Sequence, residues 1–300
     1  MIERSRFRRL AFMMALITGS LAASQATAGE SPFGWVYVTD VQPPGTFEYE
    51  HWSYLQHGQA KGTYHFLKNR EELEYGITNK FQVAGYLNWS YVNAFRNNPD
   101  GTTGGPGTDV GGDDDPLGRF TRARVDSVSL EAIYQFLNPL TDPIGLAFYV
   151  EPTIGPDIEE IEFKLLAQKN FFDDRLILAL NVVTAFENED SKEGAERATE
   201  LEFTFGASYR FARNWSFGIE GSNHREFIGH GYRHPEHSAW FIGPVVHYAT
   251  QRWWTTVAYR HQLPVAEAFT RDQREVSRGG RIYGDEHARD EIMVRIGIPF

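Results

Sequence analysis

Glutamates two residues apart recur along this chain: Glu48 and Glu50, Glu72 and Glu74, Glu160 and Glu162, Glu200 and Glu202. Side chains alternate sides in a strand, so each such pair would stack two carboxylates on one face, roughly 7 Å apart. Glu131, Glu151, Glu220 and Glu291 add single carboxylates in the same phase. Basic residues on those faces are fewer: Arg70, Lys164, Arg210, Arg260 and Arg295. Charges buried without water or partners are very costly. Two arrangements avoid the cost. The groups line a wet passage that favours cations, or they pair into a network that fills the interior. Three smaller constellations could also do chemistry. His224, His230, His234 and His237 lie close enough in sequence for a loop to fold them around a metal. Their spacing matches no standard site, so they read as a polar surface loop and no metal or cofactor is assigned. Asp109, Asp113, Asp114 and Asp115, with Gly111 and Gly112, lack the EF-hand spacing and read as an acidic loop. In His51-Trp52-Ser53, a base and a nucleophile share one face of a strand.

The elements that must position these residues are strands. Alternating apolar residues mark them at Thr46–Leu55, Gly62–Ile77, Phe81–Phe95, Arg122–Leu137, Ile144–Pro152 and Ile158–Phe172. Six more follow at Arg175–Glu187, Arg197–Ala212, Trp215–Phe227, His237–Ala249, Trp253–Leu263 and Glu291 to Phe300. In the last, Ile292, Val294, Ile296, Ile298 and Phe300 point one way, against Glu291, Arg295 and Gly297. Connections after every second strand have two to six residues, while most others are longer and two, 96–121 and 264–287, exceed twenty. Aromatics crowd beside the short turns: Tyr75, Phe81, Tyr134, Phe136, Phe171, Phe172, Tyr209, Phe211, Trp215, Phe217, Tyr248, Trp253, Trp254 and Phe300. Short turns, long opposite loops, an even strand number and an aromatic girdle together describe a transmembrane antiparallel up-and-down β-barrel of about 12 strands. A soluble sandwich does not explain aromatics at one end of nearly every strand.

Composition and the first residues agree. Arg4, Arg6, Arg8 and Arg9 precede a short apolar run, Leu10 to Ala23, and Ala26-Thr27-Ala28 has the form of a cleavage site. Residues 1–28 therefore read as a secretory signal peptide, and 29–300 as a single barrel domain. Removing the peptide, with four Arg and one Glu, takes the formal charge from −11 to −14. So acidic a chain is a poor nucleic-acid binder, and none is expected as partner. Aromatics reach 14% although mean hydropathy is −0.43, as expected where only alternate residues face lipid. Cysteine is absent, so no disulfide staples the fold. Gly29 to Gly45, with Pro43-Pro44-Gly45, reads as a periplasmic lead-in.

Three resemblances extend this reading. A chain ending on alternating apolar residues and a terminal Phe resembles exported outer-membrane barrels of Gram-negative bacteria. That implies recognition of Phe300 by the barrel-assembly machinery and contact with outer-membrane lipid and lipopolysaccharide. The runs ELEYGIT (72–78), YQFLNPLTDPIGLAFYVEP (134–152) and QKNFFDDRLILALN (168–181) resemble an uncharacterised outer-membrane barrel family, similar to barrels labelled as transporters of phenol-degradation (MetA) pathways. The resemblance supports the fold and carries no functional residues. His51-Trp52-Ser53 resembles the His-x-Ser of outer-membrane phospholipases, in which histidine activates a lipid-facing serine and an asparagine orients the histidine. A hairpin centred near Gln59 would bring Asn69 diagonally close to His51. Tyr54 and Leu55 depart from that family's Asn-Gly, on which its divalent-ion site depends.

The function expected is a porin-like passive channel for small polar or cationic solutes, not an enzyme. A lipid-modifying hydrolase using His51 and Ser53, and a structural barrel that presents its loops to partners, are the alternatives.

Overall fold

The computed structural model describes residues 31–98, 118–191, 194–284 and 287–300. Residues 1–28, read from sequence as a signal peptide, and the aspartates at 109 and 113–115 lie outside them. The alternating stretches fold as β1 (Phe47–His57), β2 (Thr63–Thr78), β3 (Phe81–Phe95), β4 (Arg119–Leu137), β5 (Gly145–Ile154) and β6 (Ile158–Phe171). They continue as β7 (Leu176–Ser191), β8 (Gly194–Ala212), β9 (Trp215–Ile228), β10 (Pro235–Ala249) and β11 (Trp254–Gln262). A long connection then carries β12 (Glu267–Ala268), α1 (Arg271–Val276), β13 (Ser277–Arg278) and β14 (Arg281–Ile282) before β15 (Asp290–Pro299). Each of the first ten strands pairs antiparallel with the next. β15 pairs with β11 on one side and β1 on the other, so twelve spanning strands close into a barrel. Closure leaves no sheet edge to lipid, where an unpaired N–H or C=O costs several kcal/mol. Among the described residues no helix is long and apolar enough to cross a membrane.

Side-chain alternation assigns the faces. Leu130, Leu180, Phe205, Ile219 and Val257 project outward and are exposed, whereas Glu48, Glu50, Glu72 and Glu131 on the opposite face are buried. The strand ends differ from the pattern-based bounds mostly by one to three residues. The exception is the β7–β8 hairpin. Residues 188–196, expected as a polar loop, pair as far as Ser191 with Gly194. Beyond the membrane band a strand needs no apolar face, so the hydrophobic pattern ends before the ladder does. Trp254 is a second difference. It points inward, fully buried, and its Nε1 donates to Glu48 Oε1 at 2.9 Å, so it does not belong to the girdle. Gly297 on β15 leaves the space that this indole fills.

The largest difference is the lead-in. Residues 31–42 lie inside the barrel. Phe33, Val36 and Val38 pack against Trp52, Ala179, Val245, Ala258 and Met293 of the inner wall. Val41 packs against Ile133, Ala147, Tyr149 and Leu166. Buried apolar side chains of this size contribute roughly 1.5–3 kcal/mol each. The segment is short, runs into Pro43-Pro44-Gly45, and finds all its partners on distant strands, which is why the sequence alone read it as an external linker.

Candidate functional site

The inner wall holds the plug by its backbone. An irregular segment has no ladder of its own, so each buried N–H must find a side chain. Glu220 accepts from Gly34 N at 3.0 Å and Trp35 N at 3.0 Å. Asn181 Oδ1 accepts from Tyr37 N at 2.8 Å, and its Nδ2 donates to Tyr37 O at 2.9 Å. Gln168 accepts from Thr39 N at 2.7 Å, and Gln82 from Gln42 N at 2.8 Å. Gln42 Nε2 donates to Glu74 at 2.7 Å. Small wall residues make room. A Cβ on Gly206 would fall 2.5 Å from the Phe33 ring, and one on Gly76 would fall 2.1 Å from Pro43 O.

The glutamates of the inner faces are largely networked. Glu50 pairs with Arg295 at 2.8 Å and accepts from Trp52 Nε1 at 2.7 Å. Glu151 pairs with Arg70 at 3.1 Å, and Glu162 with Lys164 at 2.8 Å. Glu291 pairs with Arg260 and accepts from the Tyr54 hydroxyl at 2.6 Å. Glu131 accepts from Tyr86 and Gln82. Near the periplasmic end, carboxyl oxygens of Glu48, Glu50 and Glu74 converge, as do those of Glu72, Glu74 and Glu131. The cations lie against plug and wall aromatics: Arg295 is 3.7 Å from the Trp52 ring, Arg260 4.2 Å from Trp35, and Lys164 4.0 Å from Tyr37. Desolvated cation–π contacts of this kind contribute about 2 kcal/mol. Arg210 departs from the sequence assignment. It has the inward parity, but it sits at the last turn of β8 and donates to Asp173 O at the rim. One residue position along a tilted strand separates the interior from the interface, and alternation does not report height.

Above the plug a cavity of about 430 Å³ opens toward the outer strand ends. Trp35 and Tyr37 contribute to its lining, and Glu160, Glu162, Glu200, Glu202 and Arg260 line its wall. Ten acidic and five basic side chains face it. The long connection folds back over the mouth. Gln262 Nε2 donates to Ile282 O and Ala288 O at 2.8 and 3.1 Å, and Ala288 packs among Tyr64, Phe66, Val92 and Ala94.

That inward fold creates a cluster the sequence did not show. His287 joins His224 and His237, with ring nitrogens 3.3 and 2.8 Å from its Nε2. All three are buried, and their donor atoms lie within 4.8 Å of one another. Glu200 lies 3.5 Å from His224 Nε2, and Glu226 lies 3.5 Å from His237 Nδ1. Three imidazoles with carboxylates behind two of them are a donor set suited to a zinc-class ion. His230 and His234 are exposed and stand apart, and His230 contacts Glu187 O. Sequence spacing missed His287 because it lies fifty residues from His237. His51 and Ser53 are on the outer wall, facing lipid.

Residues 25–300 match a family of unknown function, DUF6662. The chain belongs to that family. No curated protein matches the sequence. Among solved structures, an outer-membrane channel from Pseudomonas putida F1 is similar with a TM-score of 0.58 and 11% identity, over 87% of this chain and 98% of that one. The NanC porin is similar with a TM-score of 0.50 and 11% identity, over 84% of this chain and 98% of that one. At such identities the likeness is one of fold, and that fold is the outer-membrane β-barrel.

Proposed function

We propose that this DUF6662 barrel passes small polar or cationic solutes across the outer membrane, and that residues 31–42 close it in the conformation described. The observation that carries this reading is the vestibule above the plug, where acidic side chains outnumber basic ones two to one. In a narrow wet cavity with low-dielectric walls, that excess concentrates cations and repels anions. Planar-bilayer recordings test the reading. Intact protein should conduct weakly, and a variant lacking residues 31–42 should conduct more and select cations. Selectivity should fade with salt, since the screening length falls from about 10 Å at 0.1 M to about 3 Å at 1 M. Anion selectivity would refute the assignment. A plugless variant that does not conduct would favour the structural alternative.

A further inference from the structure

The outer wall should be apolar where it meets lipid, and around β1 and β2 it is interrupted by a compact polar group. In register, His51 lies opposite Glu71 and Ser53 opposite Asn69. His51 Nδ1 is 3.0 Å from Glu71 Oε1, and His51 Nε2 is 3.0 Å from Ser53 Oγ. Glu71 is itself held by the Tyr49 hydroxyl at 2.5 Å and by Trp89 Nε1 at 3.2 Å. On the β15 side, the residues opposite His51 and Ser53 are Ile296 and Val294. Leu73 and Leu87, on the same outward face of β2 and β3, are exposed. An ionisable group set in the hydrocarbon-facing band is expensive, and its retention marks a functional site by default. His51 and Glu71 nevertheless keep about a third of their side-chain surface open, 30% and 31%.

From these contacts we propose that Ser53, His51 and Glu71 form a nucleophilic triad that hydrolyses fatty acyl esters of membrane lipids. The proton logic follows from the carboxylate. Glu71 has only acceptors for His51, so Nδ1 carries the hydrogen and Nε2 is left as an acceptor. The Ser53 hydroxyl then points its proton at Nε2. Ser53 Oγ also lies 2.8 Å from Asn69 Oδ1. Once its proton is committed to His51, Oγ needs a donor there. A half-turn of the carboxamide offers Asn69 Nδ2, which is buried without a partner as it stands. Asn69 thus contacts the nucleophile, and the group that orients His51 is Glu71, directly across the ladder.

In the first half-reaction Oγ attacks the ester carbonyl carbon while His51 takes its proton. The tetrahedral intermediate collapses, the ester C–O bond breaks, and His51 returns the proton to the departing alcohol of the lysolipid. Water from the interface then attacks the acyl-serine, His51 relays its proton to Ser53, and the free fatty acid leaves. Ser53 stands six residues along β1 from Phe47 at the periplasmic rim. At about 3.3 Å per residue and a tilt of roughly 40°, that is about 15 Å up an apolar band about 25 Å tall. The nucleophile therefore faces the outer-leaflet half of the bilayer just past its midplane, so the acyl ester of either a glycerophospholipid or an acylated saccharolipid is drawn inward along the barrel wall to reach it.

The test uses full-length protein in detergent micelles with two substrates, a diacyl glycerophospholipid and lipopolysaccharide. Fatty-acid release is measured by mass spectrometry. Release from either substrate is expected and identifies the lipid source. Ser53→Ala and His51→Ala should each lower it at least about 100-fold. Glu71→Gln should lower kcat with KM little changed, and Glu71→Asp should restore part of the loss, which a merely structural carboxylate would not do. A fluorophosphonate should label Ser53 in the wild type and not in His51→Ala. Heat-modifiable migration on SDS gels shows that each variant has folded. Folded wild-type protein that neither takes the label nor releases acid from either lipid overturns the proposal. So does release that survives Ser53→Ala.

Discussion

At the scale of single residues, the interior charges act in two ways. Arg295, Arg70 and Lys164 are committed to glutamate partners and aromatic faces, so they stabilise the wall. Glu200 and Glu202 face the vestibule, where Glu202 lies 3.7 Å from Arg260 and Glu200 lies 3.5 Å from His224. Replacing both by Gln in the plugless protein should lower the cation-to-anion permeability ratio, most visibly in dilute salt. An unchanged reversal potential would place the selectivity elsewhere. The histidine cluster makes a separate prediction. Chelator-treated protein should gain thermal stability on adding Zn²⁺, by about 2.7 kcal/mol at a hundredfold excess over Kd. His287→Ala should abolish the gain, and an equal gain in that variant would exclude the site.

At the scale of elements, the plug is held by packing and by borrowed hydrogen bonds, so it should be separable from the barrel. Gly206→Ala places a methyl where the Phe33 ring lies, at a strand position with ordinary dihedrals. Overpacking of this kind costs about 1–3 kcal/mol. The cost should fall on docking of the plug: conductance should rise while heat-modifiable migration stays intact. Asp40 adds a pH dependence. Burial raises its carboxyl above the ordinary 3.8, with a hydrogen bond from Gln168 opposing and Asp174 adding to the rise. The docked plug therefore binds this proton more tightly than the free one. Docking is strongest below the free carboxyl's pKa and weakens as pH rises through the docked value. Conductance should accordingly fall on acidification, and Asp40→Asn should flatten that response. A fall of the same size in Asp40→Asn would assign the effect to other groups.

At the scale of the whole molecule, the ladder between β1 and β15 closes the barrel, and the last residue completes that seam. Phe300 N donates to Phe47 O at 2.9 Å, Phe47 N donates to Phe300 O at 3.2 Å, and the two rings stack at 5.8 Å. The pair ties the two ends of the barrel chain together at the periplasmic rim. Deleting Phe300 removes the rim end of that seam and the terminal aromatic that the assembly machinery is expected to read. The deletion should cut the yield of heat-modifiable protein in the outer membrane severalfold. Normal yield would show that neither closure nor recognition depends on it.

The barrel was legible in the sequence because a membrane imposes a period of two on every strand that crosses it. That constraint is local, so the alternation from Phe81 to Phe95 or from Trp215 to Phe227 reports strand and face directly. It also placed the glutamates inward and set His51 and Ser53 outward together. Everything that depended on meetings between distant segments was hidden. Phe33 finds Gly206, Glu220 finds Gly34, His287 finds His237, and Glu71 finds His51 only when the closed sheet sets distances across the barrel. Among the described residues the plug pairs with no strand backbone, and its N–H groups are answered by side chains of several strands. Whether the lumen is open, which histidines converge and what orients His51 were therefore decided by tertiary structure. A repeating environment writes its pattern into the local sequence, whereas a unique contact between remote residues leaves none.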